Sequence, residues 1–152
     1  MLTDAFLAFF HFLAIFLLVT LLAAEAVVLR PGMTPAIVRR LSLYDLLYFL
    51  SAMVVLATGL LRLFYGAKGV DFYLHNPWFH AKMGAFVLVG LLSILPTVRF
   101  LRWRKALAAN PIFLPDASET ARMRAIIRFE LVLLAAIFVF AAAMARYGGL
   151  SL

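Results

Sequence analysis

The chain has 152 residues, 66% of them hydrophobic and only 14% charged, with no cysteine. No soluble domain of this size needs so much apolar surface, and without thiols there can be no disulfide, thiolate zinc or iron–sulfur site, c-type haem attachment or cysteine nucleophile. The formal charge of +7 is carried by residues beside apolar runs rather than on a soluble face, which speaks for membrane topology and against nucleic acid as a partner.

Four apolar runs reach the roughly 20 residues that cross a hydrocarbon core: about 5–29, 43–64, 78–101 and 126–145. The first begins almost at Met1 without a basic leader or a convincing cleavage site and is longer than a signal-peptide core, so it is read as a mature helix. Arg30-Pro31-Gly32 stops it. Asn76-Pro77 can supply an N-cap and a first-turn proline to the third helix, within which Pro96 should kink the chain or end its straight part. Loop three, 106–120, is the most polar stretch: Asn110-Pro111 and Leu114-Pro115 break regular structure, and Ser118 to Thr120 can begin a short amphipathic lead-in to helix four. The expected fold is all-α, an integral membrane four-helix up-down bundle forming one transmembrane domain over 1–152.

Lys and Arg give the orientation. Arg30, Arg39 and Arg40 flank loop one, and Arg99, Arg102, Arg104, Lys105, Arg122, Arg124 and Arg128 flank loop three, whereas Arg62, Lys68, Lys82 and Arg146 lie on the opposite side. This bias predicts that loops one and three are cytoplasmic and that both termini are outside. The expected location is a bacterial inner membrane, multi-pass, with the lipid bilayer as the first partner.

Polar residues inside the runs are costly and are therefore candidates for function. At 1.5 Å per residue, His11 lies about 9 Å inside the outer end of helix one and His80 about 5 Å inside that of helix three. Helices one and three of an up-down bundle are commonly diagonal, which leaves room for a planar ligand between them. Imidazoles at matching depth suit haem iron as axial ligands. Arg62 and Lys82 are candidate cations for propionates, Tyr65, Trp78 and Phe86 candidate ring-packing residues, and Gly59, Gly84 and Gly90 points of close approach. The competing account has His80 at the headgroup level, Arg62 and Lys82 snorkelling to lipid phosphates, and the glycines serving helix packing alone.

A second polar layer comprises Glu25, Asp45 and Glu130, with Arg30, Arg39, Arg40, Arg99 and Arg128 within reach. Helical periodicity puts His11, Ala14, Leu18, Leu22 and Glu25 on one inward face. The carboxylates either neutralise arginines and clamp helix ends, or form a proton route or a cytoplasmic substrate mouth.

His11-Phe12-Leu13-Ala14 and Trp78-Phe79-His80-Ala81-Lys82 resemble the H-x-x-A and W-L-H-x-K elements of HemJ-type protoporphyrinogen oxidases. These are small four-helix membrane proteins that bind b-type haem. Arg40 to Tyr44, Gly59 and Arg128-Phe129-Glu130 fall where that family has an Arg and Tyr, a Gly, and an R-x-x-N-E element. The chain departs from the pattern at Ala23-Ala24-Glu25, in lacking a helix-two proline, and in longer second and third loops. The resemblance implies haem b bound through His11, Lys82 as the functional lysine, and His80 as a neighbour or second ligand. It further implies an oxidoreductase acting on a porphyrin substrate, with a quinone or respiratory electron acceptor. Other readings stay open: an electron-transfer cytochrome with two axial histidines, a non-catalytic accessory subunit, a copper carrier, and a homo-oligomer of any of these.

Overall fold

The structure, a computed structural model, describes residues 2–146, with side chains from residue 3 onward. Residue 1 and residues 147–152 of the expected domain lie outside the described residues. Five helices follow one another: α1 (Leu2–Val28), α2 (Pro35–Tyr65), α3 (Gly69–Leu74), α4 (Pro77–Ala109) and α5 (Ala117–Arg146). The four long ones are long and apolar enough to cross a membrane, and they form the all-α up-down bundle expected from the hydrophobic runs. Among the described residues α1 packs on α2 and α5, and α4 packs on α5 and α2, so that α1 and α4 are diagonal. The first and third spans thus stand where the sequence puts them.

The helix ends follow from local chemistry. The Asn76 side chain accepts the Trp78 N–H at 3.0 Å, and Pro77 follows in the first turn where a missing N–H costs nothing. Asp116, in the loop before α5, accepts the Ser118 N–H at 2.9 Å and the Ser118 hydroxyl. These bonds hold its carboxyl below the usual carboxylate range. At the end of α1, the Leu29 N–H still reaches the Glu25 carbonyl, and Arg124 Nε donates to the Ala26 carbonyl at 3.3 Å. Gly32 then turns the chain at φ +77°, a left-handed conformation that only glycine adopts freely.

Three helices run further than the apolar runs suggest. α2 begins at Pro35, α4 ends at Ala109 and α5 begins at Ala117. The added turns carry Arg39, Arg40, Arg102, Arg104, Lys105, Arg122 and Arg124, which are good helix formers with stems long enough to reach water. An apolar window measures the hydrocarbon that a helix crosses, whereas backbone hydrogen bonding continues beyond it. For the same reason Ser118 to Thr120 belong to the first turn of one continuous α5. Pro96 lies inside α4, which continues on both sides of it. The short α3 carries no apolar run and went unanticipated.

Burial is uneven along the bundle. His11, Ala14, Leu18, Leu22 and Glu25 of α1 are all buried, as their spacing requires. Toward the arginine-rich end the core closes around Leu29, Val38, Leu41, Phe100, Trp103 and Ile127. Arg99 pairs with Glu119 at 2.6 Å, and the Trp103 indole N–H donates to the same carboxylate at 3.0 Å, joining α4 to α5. Toward the α3 end the helices part: α4 buries no residue before Val89 and α5 none after Leu134 among the described residues. The outer surface is apolar, with Phe16, Val27 and Val139 all well over half exposed. Such a surface belongs in lipid, where helices associate by close packing rather than by escape from water.

Candidate functional site

Where the bundle opens, α1, α2, α4 and α5 enclose a cavity of about 230 Å³. Its walls are largely apolar, with Val55, Leu56, Phe86, Leu134 and Ile137 among them. Four basic side chains also line it: His11 from α1, Arg62 from α2, Lys82 from α4 and Lys68 from the loop before α3. No carboxylate is among the described lining residues. Arg62 and Lys82 are within electrostatic reach of each other and of His11.

His11 is held from α2. Its Nδ1 lies 2.9 Å from Thr58 Oγ1, and that hydroxyl donates its only proton backward to the Val54 carbonyl at 2.7 Å. Thr58 must therefore accept from His11, which assigns the ring proton to Nδ1. In the neutral ring Nε2 then carries the lone pair, the arrangement in which a histidine ligates a metal while its other nitrogen is fixed by a second partner. The Gly59 backbone adjoins the same ring. A Cβ placed there would stand 3.3 Å from His11 Cε1, so the imidazole occupies the space that glycine leaves. At Gly84 and Gly90, by contrast, an added Cβ would meet nothing within 4 Å among the described residues.

Arg62 covers the Phe12 ring at 5.6 Å, and its Nε is buried without a hydrogen-bond partner among the described residues. Buried donors of this kind are rare because each costs the hydration it has lost. Lys68 lies 4.4 Å from the Phe72 ring centroid. Neither cation, nor Lys82, forms an ion pair among the described residues. The cavity thus combines apolar walls with uncompensated positive charge, a match for an anionic group attached to an apolar body.

Not every candidate converges here. His80 is exposed, its Nε2–H donates to the Leu74 carbonyl at 2.8 Å, and it does not line the cavity. Trp78 stacks on Phe140 with centroids 6.1 Å apart, outside the lining, and Tyr65 is exposed. Phe86 does line the cavity. Thr58 was missed by the sequence reading, although a depth signal existed. It lies seven residues from the end of α2, about 10 Å along the axis, matching the depth of His11. Lys68 and Tyr73 were also missed, because only the fold of the 66–76 segment carries them to the cavity.

The second polar layer lies between all four long helices. Glu25, Asp45 and Glu130 are buried and within electrostatic reach of one another, and the Thr97 hydroxyl donates to Asp45 Oδ1 at 2.8 Å. Of the two readings left open by the sequence, neutralisation by arginine is not what the described residues show: none of the arginines placed within reach pairs with these carboxylates. Arg99 takes Glu119, and Arg30, Arg39, Arg40 and Arg128 are exposed. Glu25 Oε1 and both carboxyl oxygens of Glu130 have no partner among the described residues.

Neither the curated proteins nor the solved structures include a match to this chain. The family described as "Predicted membrane protein (DUF2214)" matches residues 3–149, which agrees with four apolar helices arranged as a bundle. Spanning nearly the whole sequence, that match makes the chain a member of the DUF2214 family of membrane proteins.

Proposed function

We propose that the protein is a b-type haem protein of the bacterial inner membrane, oriented with both termini outside. It would act as an oxidoreductase resembling HemJ-type protoporphyrinogen oxidases. The observation that carries this reading is the hydrogen bond from His11 to Thr58, which leaves Nε2 as the metal-binding nitrogen of a ring that lines a cationic, carboxylate-free cavity. When bound, haem supplies a redox-active iron whose potential depends on its axial ligand and surroundings.

In this reading His11 holds the metal, while Thr58 and Gly59 set the ring's tautomer and position. Arg62 and Lys82 take carboxylates, of haem propionates or of a porphyrinogen substrate, and Lys82 is the functional lysine. Arg62 suits paired carboxylate contacts, Lys82 a point-charge contact. The apolar walls exclude water, which strengthens these charge contacts. Electrons would pass to a quinone or respiratory partner. A site with one protein ligand is favoured over a bis-histidine cytochrome because His80 is engaged with the Leu74 carbonyl and does not line the cavity.

The test is the visible spectrum of protein purified in mild detergent, with hemin added as a loading control. Wild type should show a Soret band and, on reduction, α and β bands. His11→Ala should lose them and His80→Ala should keep them. Wild type that stays colourless and takes up no hemin would end the haem reading.

A further inference from the structure

The layer formed by Glu25, Asp45 and Glu130 stands about 21 Å along the bundle axis from His11, fourteen residues apart on α1. Leu18 and Leu22 fill the interval on the α1 face. The haem reading uses none of these carboxyls, and nothing below depends on it. Each comes from a different helix: Glu25 from α1, Asp45 from α2 and Glu130 from α5. The facing groups are Tyr48 on α2 and, from α4, the uncharged Thr97.

Glu25 is 1% exposed and Glu130 fully buried, and the three unpartnered carboxyl oxygens belong to these two. Among the described residues no Lys, Arg or His pairs with any of the three. Three uncompensated negative charges in such an interior would cost far more than the margin by which a bundle of this size stays folded. Something must neutralise them. Among the described residues no group of three or more His, Asp or Glu is positioned to hold a metal ion, and a proton is the counter-charge that needs no further ligand. Asp45 differs from the two glutamates in accepting a hydrogen bond from Thr97, so it is the carboxyl best able to keep a charge.

We infer that this layer is a proton-binding site within the membrane, in which Glu25 and Glu130 carry exchangeable protons and Asp45 supplies the anchoring acceptor. The ligand is the proton itself, shared among carboxyls whose like charges prevent them from all being ionised together.

Infrared spectroscopy of the full-length protein in lipid at neutral pH tests this directly. The expected result is a carbonyl band of protonated carboxylic acid that shifts in heavy water and is lost in the double variant Glu25→Gln, Glu130→Gln. Because glutamine mimics the neutral acid, each single variant should fold with near wild-type thermal stability. Dicyclohexylcarbodiimide, which takes up the proton of a carboxylic acid in apolar surroundings and is then attacked by the carboxyl oxygen, should label Glu25 or Glu130, as read by peptide mass spectrometry. A wild-type spectrum without the protonated band would overturn the inference, and that reading requires no variant to fold. So would a band abolished at constant pH by saturating sodium, potassium, magnesium or calcium, which would make a metal cation the occupant.

Discussion

The Thr58 hydroxyl accepts the His11 Nδ1–H at 2.9 Å while donating to the carbonyl of Val54, one turn back on its own helix. A hydroxyl has one proton to give, so the helical backbone decides the tautomer of a histidine on the neighbouring helix. Thr58→Val removes the acceptor and leaves the ring only the Val55 backbone as a partner, a loss of about 1 kcal/mol. Thr58→Ser keeps it. Thermal unfolding in detergent should separate the two, with serine close to wild type. Equal melting of both variants would mean that the bond does not hold His11.

Gly59→Ala tests the cradle around the same ring. Its Cβ, 3.3 Å from His11 Cε1, obliges the imidazole to move by a few tenths of an ångström. Hemin titration should therefore show weaker binding or an altered Soret position. Gly84→Ala and Gly90→Ala meet open space and should leave the titration unchanged. Both should raise stability by up to about 1 kcal/mol, the usual difference in helix propensity between the two residues.

The cations of the cavity can be separated from its apolar walls by changing the ligand's charge. Arg62→Ala and Lys82→Ala should each weaken hemin binding by roughly 10- to 100-fold, the scale of one charge-assisted hydrogen bond. Hemin dimethyl ester, with its propionates blocked, should bind wild type and variants alike. If the ester showed the same dependence on Arg62 and Lys82, propionate recognition would be the wrong account of these residues.

Glu119 joins α4 to α5 through Arg99 and Trp103, yet the Arg99 side chain is 40% exposed and that of Glu119 27%. Solvent screens such a pair, so Arg99→Ala should cost no more than about 1 kcal/mol. Trp103→Phe, which loses the indole N–H but keeps a buried ring, should cost about as much. Chemical denaturation in mixed micelles would measure both. A much larger loss for Arg99→Ala would indicate that this arginine has a further partner.

The membrane, the four helices and the inward face of α1 were legible in one dimension. Run length reports hydrocarbon thickness, charge bias reports loops, and a 3.6-residue period puts His11, Ala14, Leu18, Leu22 and Glu25 in register on a single helix. Beyond the diagonal placement of the first and third spans, which side chains meet between helices came from the tertiary structure. Helix rotation and axial offset put Thr58 against His11, and the turn into α4 gave His80 a backbone carbonyl to hold instead of the cavity. Packing near loop three sent Arg99 to Glu119 and left Glu25 and Glu130 without a counter-charge. Periodicity specifies which side of a helix faces inward, but only the packed arrangement specifies which partner it meets there, because that choice rests on distances of a few ångströms between segments far apart in the chain.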